Sequence, residues 1–214
     1  EKSSPRGQKL TFELEDGTVV KLNAGSRLVF PDEFDQTHRK VTLEGEAFFD
    51  VSRDEQRPFI VHAEALTTIV LGTSFNVKSY LDEAESSVAV VSGKVKVMKS
   101  AEVDIEGSEY LLLEKNQMAS YNTLQNSFSK TDAIPIDLLA WRENTILFDH
   151  ASFGEVNHTL SRWYGVEFEN KSGNEFIGGF TGAFTNENLE NVLNGLKSEY
   201  NFEFRFEGNK VIIY

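Results

Sequence analysis

Two stretches 36 residues apart share one plan: Ser152-Phe-Gly-Glu-Val-Asn-His-Thr-Leu-Ser-Arg-Trp-Tyr-Gly165 and Asn188-Leu-Glu-Asn-Val-Leu-Asn-Gly-Leu-Lys-Ser-Glu-Tyr-Asn201. In register, Phe153 overlays Leu189, Val156 overlays Val192, Leu160 overlays Leu196 and Tyr164 overlays Tyr200. Apolar side chains at i, i+3, i+7 and i+11 fall on one face of an α-helix. Ser152 and Asn188 stand at the N-cap, where a side-chain oxygen satisfies a free backbone N–H, and Ser152 with Glu155 matches the capping box. Gly165 and Asn201 stand where each helix must stop, and both tolerate the left-handed backbone of a helix end. Phe148 overlays Phe184 upstream. Alternating runs follow each helix, Val166-Glu-Phe168 and Phe202-Glu-Phe204-Arg-Phe206, and Gly208-Asn209 turns the second into Val211-Ile-Ile-Tyr214. Residues 140–214 therefore read as a small βαβ-βαβ repeat domain with two helices on one sheet.

Upstream the texture changes to short alternating runs. Leu10, Phe12 and Leu14 precede Asp16-Gly17-Thr18, and Val20 and Leu22 follow. A three-residue loop at 16–18 would pair position 14 with 20 and 12 with 22, placing all five apolar side chains on one face, with Gly17 in the left-handed position. Val88 to Val97 reads as a second hairpin turning at Ser92-Gly93, with Val90 opposite Val95 and Val88 opposite Val97. Val41, Leu43, Ala47, Phe49 and Val51 alternate between them, with Gly45 interrupting, and Pro58 marks the start of another strand. Turn signals at this spacing predict an all-β domain over 9–124, sandwich- or solenoid-like. The fold class overall is α+β. Residues 1–8 read as a linker from a membrane helix outside this chain, and 125–139 as a polar linker that could permit a domain rotation.

The 214 residues carry 34 acidic and 21 basic side chains, net −13, and no cysteine. Such a charge disfavours binding to nucleic acid, which gains affinity from Lys and Arg. Disulfide scaffolds, thiol nucleophiles and cysteine-ligated zinc are excluded. No apolar run reaches the ~18 residues that a spanning helix needs.

Chemistry-bearing motifs are missing. The four histidines, His38, His62, His150 and His158, include no i, i+4 pair. Asp32, Glu33 and Asp35 lack the spacing and glycine of a calcium loop. There is no nucleophile elbow, phosphate loop or dinucleotide fingerprint, and Gly178-Gly179 suits a turn or bulge. Trp141, Trp163 and Tyr164 could stack a ligand, but Tyr164 belongs to the repeated helix face and Trp163 flanks it. Arg27 and Arg39 suit structural ion pairs. No catalytic, cofactor-binding or metal residue is assigned. A binding module is the better expectation, with Val211, Ile212, Ile213 and Tyr214 as a candidate strand for a partner if it lies at an edge rather than inside the sheet, and the groove between the two domains as the other candidate surface.

The run Glu15-Asp-Gly-Thr-Val-Val-Lys-Leu-Asn-Ala-Gly-Ser-Arg-Leu28 resembles the FecR family of sigma-factor regulators. So do Val41-Thr-Leu-Glu-Gly-Glu-Ala-Phe-Phe-Asp-Val51, Pro58-Phe-Ile-Val61, Leu71-Gly-Thr-Ser-Phe-Asn-Val-Lys-Ser-Tyr80 and Val90-Val-Ser-Gly-Lys-Val-Lys-Val97. At Glu114-Lys-Asn-Gln117 the family's usual Pro-Gly turn is replaced. Residues 140–214 are similar to the short N-terminal domain of secretins and TonB-dependent receptors. The resemblance implies the periplasmic sensor region of an anti-sigma factor anchored in the inner membrane. Its implied partners are the N-terminal signalling domain of a TonB-dependent, SusC-like outer-membrane receptor, and an extracytoplasmic-function sigma factor held by a cytoplasmic segment absent from this chain. It implies no nucleic acid, cofactor or small-molecule substrate. A carbohydrate-binding module using Trp141 or Trp163, a hydrolase with a carboxylate pair, and a structural envelope protein are the rival readings.

Overall fold

The computed structural model describes residues 1–99, 109–172 and 178–214. Two units form, one of residues 1–4 and 9–134, the other of residues 5–8 and 135–214. The described residues are mostly β, with two α-helices and one 3-10 helix, an α+β protein.

The first unit holds β1 (Lys2–Ser4), β2 (Leu10–Glu13), β3 (Val19–Leu22), β4 (Ser26–Val29), β5 (Arg39–Asp50), β6 (Phe59–His62) and β7 (Leu66–Val70). It continues with β8 (Ser74–Ser79), β9 (Glu85–Ser92), β10 (Lys94–Lys99), β11 (Tyr110–Glu114), β12 (Met118–Asn122) and β13 (Ser127–Thr131). All belong to one 13-stranded sheet running β11-β10-β7-β6-β5-β8-β9-β12-β13, with β3 and β4 also paired to β5 and carrying β2 and β1 respectively. The sheet curls nearly into a barrel around β5. The first half of β5 pairs antiparallel with β4 (Leu43 opposite Leu28) and parallel with β6 (Val41 opposite Val61). The second half pairs antiparallel with β3 (Phe49 opposite Val20) and β8 (Phe49 opposite Phe75). The handover falls at Gly45, with φ +96°, where a Cβ would lie 2.4 Å from Ser26 Oγ. Inward side chains of both halves, Val41, Leu43, Ala47 and Phe49, meet Val61, Phe75, Val90 and Leu113 in one core.

Two expected hairpins come out differently. In the first, Phe12 faces Val20 and Leu10 faces Leu22, so the loop is residues 15–17 and the pairing slips by two from the expected one. A slip of two keeps every side chain on its face, and Leu10, Phe12, Leu14, Val20 and Leu22 all pack on the core. Gly17 does take the left-handed position, φ +81°. The second hairpin does not form. β9 pairs with β8 and β12, β10 with β7 and β11, and the chain turns a corner from one layer to the other at Gly93. A hairpin and a corner write the same alternation when both layers face one core. At the replaced Pro-Gly turn, Asn116 supplies the positive φ, +66°.

Arg39 is fully buried at the start of β5. Its Nη1 donates to Asp16 Oδ2 at 2.7 Å and to the Ser52 carbonyl at 2.8 Å, and its Nε to the Arg57 carbonyl. Asp16 also accepts from the Thr18 N–H and hydroxyl. The turn of the first hairpin is thereby tied to β5. The structural role expected of Arg39 is the one found, and Arg27 pairs with Glu1 at 3.5 Å on the surface.

In the second unit a 3-10 helix (Ile136–Glu143) leads into β14 (Thr145–Ala151), α1 (Phe153–Tyr164), β15 (Glu167–Asn170), β16 (Phe180–Thr185), α2 (Leu189–Tyr200), β17 (Phe204–Glu207) and β18 (Lys210–Ile213). The helices start and stop where the repeat placed them. Ser152 makes the full capping box with Glu155, and Asn188 Oδ1 accepts from the Asn191 N–H. Gly165 and Asn201 are both left-handed. Val156, Leu160, Val192 and Leu196 pack with Phe148, Phe180, Val211 and Ile213. The single sheet expected beneath them is two: β14 pairs with β16, and β18 separates β15 from β17 in a sheet of three. The strands before the helices pair with each other, while those after the helices pair only through the added strand.

Segments read as linkers carry structure. Lys2–Ser4 pairs with β4, and the Gly7 N–H donates to the Arg162 carbonyl at 2.7 Å within the second unit. Ser127–Thr131 pairs along its whole length with β12. Gly45→Ala should destabilise the first unit by about 2–4 kcal/mol, from left-handed strain plus overpacking against Ser26. Urea unfolding followed by far-UV circular dichroism measures it, and an unshifted midpoint would contradict the handover described.

Candidate functional site

The strand proposed for docking, Val211 to Tyr214, is the middle of its sheet. Val211 faces Phe168 of β15 on one side and Phe206 of β17 on the other. Val211, Ile212 and Ile213 are at most 1% exposed, so both hydrogen-bonding edges and both faces are used. The expected edge strand is corrected: β18 has no free edge to offer, and of the four residues only Tyr214 is exposed, at 52%. The sequence held a signal for this. An unbroken Val-Ile-Ile run suits a strand covered on both faces, whereas a half-exposed strand alternates.

The outer strands are β15 and β17, and no described strand pairs with their far sides. Glu203 and Tyr214 exchange two backbone hydrogen bonds, 2.9 and 3.0 Å. This fixes the phase: positions 203, 205 and 207 turn their backbone groups toward β18, and Phe204 and Phe206 turn theirs outward. Phe202 is buried, Phe204 half-buried and Phe206 46% exposed, so an aromatic row climbs from the core to the surface. The Phe204 and Phe206 rings meet edge-on at 5.7 Å. On the opposite face Arg205 lies over the Tyr214 ring and pairs with Glu207 at 2.7 Å. The edge of β17 can offer backbone hydrogen bonds beside an apolar anchor.

The other residues weighed for chemistry are dispersed. His62 Nδ1 shares a hydrogen bond with Thr67 Oγ1, His150 pairs with Asp149, His158 is exposed, and His38 pairs with Asp35. Asp35 Oδ1 accepts from the backbone of Thr37 and His38 and from the Thr37 hydroxyl, bonds that hold its carboxyl down at about 2. It closes a turn. Among the described residues no group of three or more His, Asp or Glu is placed to hold a metal ion. Trp141 is 6% exposed and Trp163 packs against the core of the second unit, so neither offers a flat exposed ring. Tyr164 packs there too and donates to the Glu187 carbonyl at 2.8 Å, and burial pushes its hydroxyl up to about 12. A Cβ at Gly179 would lie 2.6 Å from the His150 carbonyl, a close backbone approach beside the irregularity in β14. No described helix is long and apolar enough to cross a membrane.

The family model for FecR protein matches residues 2–96, and that for the FecR C-terminal region matches 145–213. No curated relative matches the sequence. Two crystal structures of a protein from Parabacteroides distasonis ATCC 8503, provisionally named an anti-sigma factor, superpose with a TM-score of 0.86 at 33% identity. The alignment covers 100% of this chain and 97% of that one. The chain belongs to the FecR family of anti-sigma factors. Anti-sigma factors are regulatory proteins.

One residue of this FecR-family chain escaped the sequence altogether. Glu46 follows the Gly45 bend and is 5% exposed. Its carboxylate accepts from Asn23 Nδ2 and Asn76 Nδ2, both at 2.8 Å, and its N–H donates to Ser26 Oγ. Burial raises its pKa, against the opposing pull of Lys78 and the two amides, while Glu83 adds to the rise. Lys9, whose amine burial lowers to about 8, feels the same charge. Nothing in the alternation of β5 marks position 46 as covered, since its side chain points away from the core. A raised carboxyl pKa means the native state takes a proton while the unfolded chain is still ionised. Glu46 therefore adds stability as pH falls and loses it as pH rises through the raised value. Glu46→Gln should unfold at higher urea than the native protein at pH 7.5, with the gap closing toward pH 5. A gap independent of pH would show that Glu46 does not titrate in the native state.

Proposed function

We propose that this chain is the periplasmic sensor region of a membrane-anchored anti-sigma factor. It reads a TonB-dependent, SusC-like outer-membrane receptor by binding that receptor's N-terminal signalling domain. It then passes the state to an extracytoplasmic-function sigma factor through a cytoplasmic segment outside this chain. Membership of the FecR family supports the regulatory part of this reading. The observation that carries the docking part is the second unit itself, a repeat module with an outward-facing β17 edge and an exposed Phe206.

The docking mode is strand addition. A receptor strand pairs with the outward N–H and C=O groups of Phe204 and Phe206, and covers the Phe206 ring. Transmission requires that the receptor's loaded and empty forms bind this surface with different affinity, because equal binding would shift no equilibrium. The site moves from the expected Val211–Tyr214 to the strand beside it, with Tyr214 at its margin.

Calorimetric titration with the cognate receptor's signalling domain tests the reading. The intact chain should bind it. Phe206→Pro, which removes an outward N–H without touching the β17–β18 ladder, should weaken binding at least about tenfold, and Phe206→Ala less. A chain ending at residue 134 should not bind. Full-affinity binding by that truncated chain would remove the second unit from the account, and no binding by the intact chain would overturn the reading as a whole.

A further inference from the structure

Among the described strands, the 13-stranded sheet of the first unit ends at β11 on one side. Its sequence, Tyr110-Leu-Leu-Leu-Glu114, is the most apolar of the unit's outer strands, and outer strands of soluble proteins are normally short, charged or covered. Leu113 is buried in the core, while Leu112 is 59% and Tyr110 50% exposed.

The edge is occupied, but by side chains. Lys130 Nζ of β13 donates to the Leu112 carbonyl at 2.8 Å. The Glu114 N–H donates to Gln117 Oε1 at 2.8 Å, and Gln117 is held in turn by Asp132 Oδ1. Both capped groups lie at even positions. In an antiparallel ladder a residue's N–H and C=O point to the same side and the side alternates. The groups of Tyr110, Leu112 and Glu114 therefore face away from β10. Two flexible polar side chains stand where a neighbouring strand would supply the partners.

The surroundings state the charge of that strand. Lys96 pairs across the ladder with Leu112 and lays its amine over the Tyr110 ring, 4.4 Å from the centroid. Lys94 and Lys130 flank the same strand, Lys94 being paired with Glu114 at 2.8 Å. Lys94 and Lys96 belong to β10 and Lys130 to β13; Glu114 and Asp132 stand among them, with Glu114 taken up by Lys94 and Asp132 by Gln117. This leaves Lys96 and Lys130 as the cations nearest an incoming strand, in a chain whose net charge is −13. Displacing Lys130 from the Leu112 carbonyl frees its amine for a carboxylate on the incoming chain.

We propose that the outer edge of β11 is a docking site for an extended, acidic segment of a partner protein. The segment adds to the sheet as a further strand, displaces Lys130 and Gln117, sets apolar side chains against Leu112 and Tyr110, and pairs its carboxylates with Lys96 and Lys130. The site lies on the first unit and does not depend on receptor docking at the second.

The experiment is amide NMR of the full chain titrated with an acetylated nonapeptide alternating valine with glutamate, and with the same peptide carrying lysine for glutamate. The acidic peptide should shift amides of 110–114 and 130, and bind at least about tenfold more tightly than the basic one. Leu112→Pro, which removes one outward N–H, and Leu112→Asp, which keeps that N–H but loses the apolar contact and repels the peptide, should each abolish those shifts. Shifts confined to other strands, equal response to both peptides, or unchanged binding by both variants would overturn the proposal. So would concentration-dependent dimerisation lost in Leu112→Pro, which would make the occupant a second copy of this chain.

Discussion

Strand β5 belongs to two layers at once, and its backbone makes the change at Gly45, where φ is +96° and Ser26 leaves no room for a side chain. Much of the first unit follows from that bend. Upstream of it β5 organises β4 and β6, and downstream β3 and β8, so one strand fixes the register of both layers. The two halves aim their odd-numbered side chains at the same core, which is why Val41 and Phe49 are buried together. Arg39 anchors the beginning of the strand to the Asp16 turn, so the bend is framed by a buried, hydrogen-bonded ion pair on one side. Removing either partner of such a pair would leave an uncompensated buried charge.

The same bend explains the buried carboxyl. Ser26 crowds Gly45 and accepts the Glu46 N–H, which draws the outward side of β5 close to its neighbours. Glu46 is then satisfied by two amides in place of water. Asn76 Oδ1 lacks a partner while its amide nitrogen serves Glu46, so the cluster is a compromise centred on one acidic group. A protonated Glu46 would have a hydroxyl to donate, and Asn76 Oδ1 is an acceptor in need of one.

How much of this was legible in the sequence depended on whether the signal was periodic or relational. The helices of the second unit were readable to the residue, because period, caps and stops all repeat at one offset. The core face of the first hairpin was readable, because a slip of two leaves it unchanged. Pairing partners were not. Val88 to Val97 carries the same alternation as a hairpin or as a corner between layers, and a Gly93 with positive φ serves either turn. β13, with Phe128 as its one large apolar residue, reads as a linker because an exposed outer strand has no apolar face to announce it. β18 reads as either an edge or an internal strand, because sequence alone does not name a strand's neighbours. The triplet Val211-Ile212-Ile213 argued for the second.

Docking by strand addition, as proposed above, needs strand edges that stay available without pairing with copies of the same chain. The edges of β11 and β17 meet that demand differently. At β11 the outward groups are covered by Lys130 and Gln117, side chains that a better partner can replace at the cost of two hydrogen bonds which that partner restores. At β17 the outward backbone groups are those of Phe204 and Phe206, whose rings share one face, while Arg205 and Glu207 occupy the other. Self-pairing of either edge would bring together two chains of net charge −13, and that repulsion acts before any contact forms. In the docking proposed for β11, local lysines favour an acidic segment while the net charge of the whole opposes pairing with a second copy of the chain.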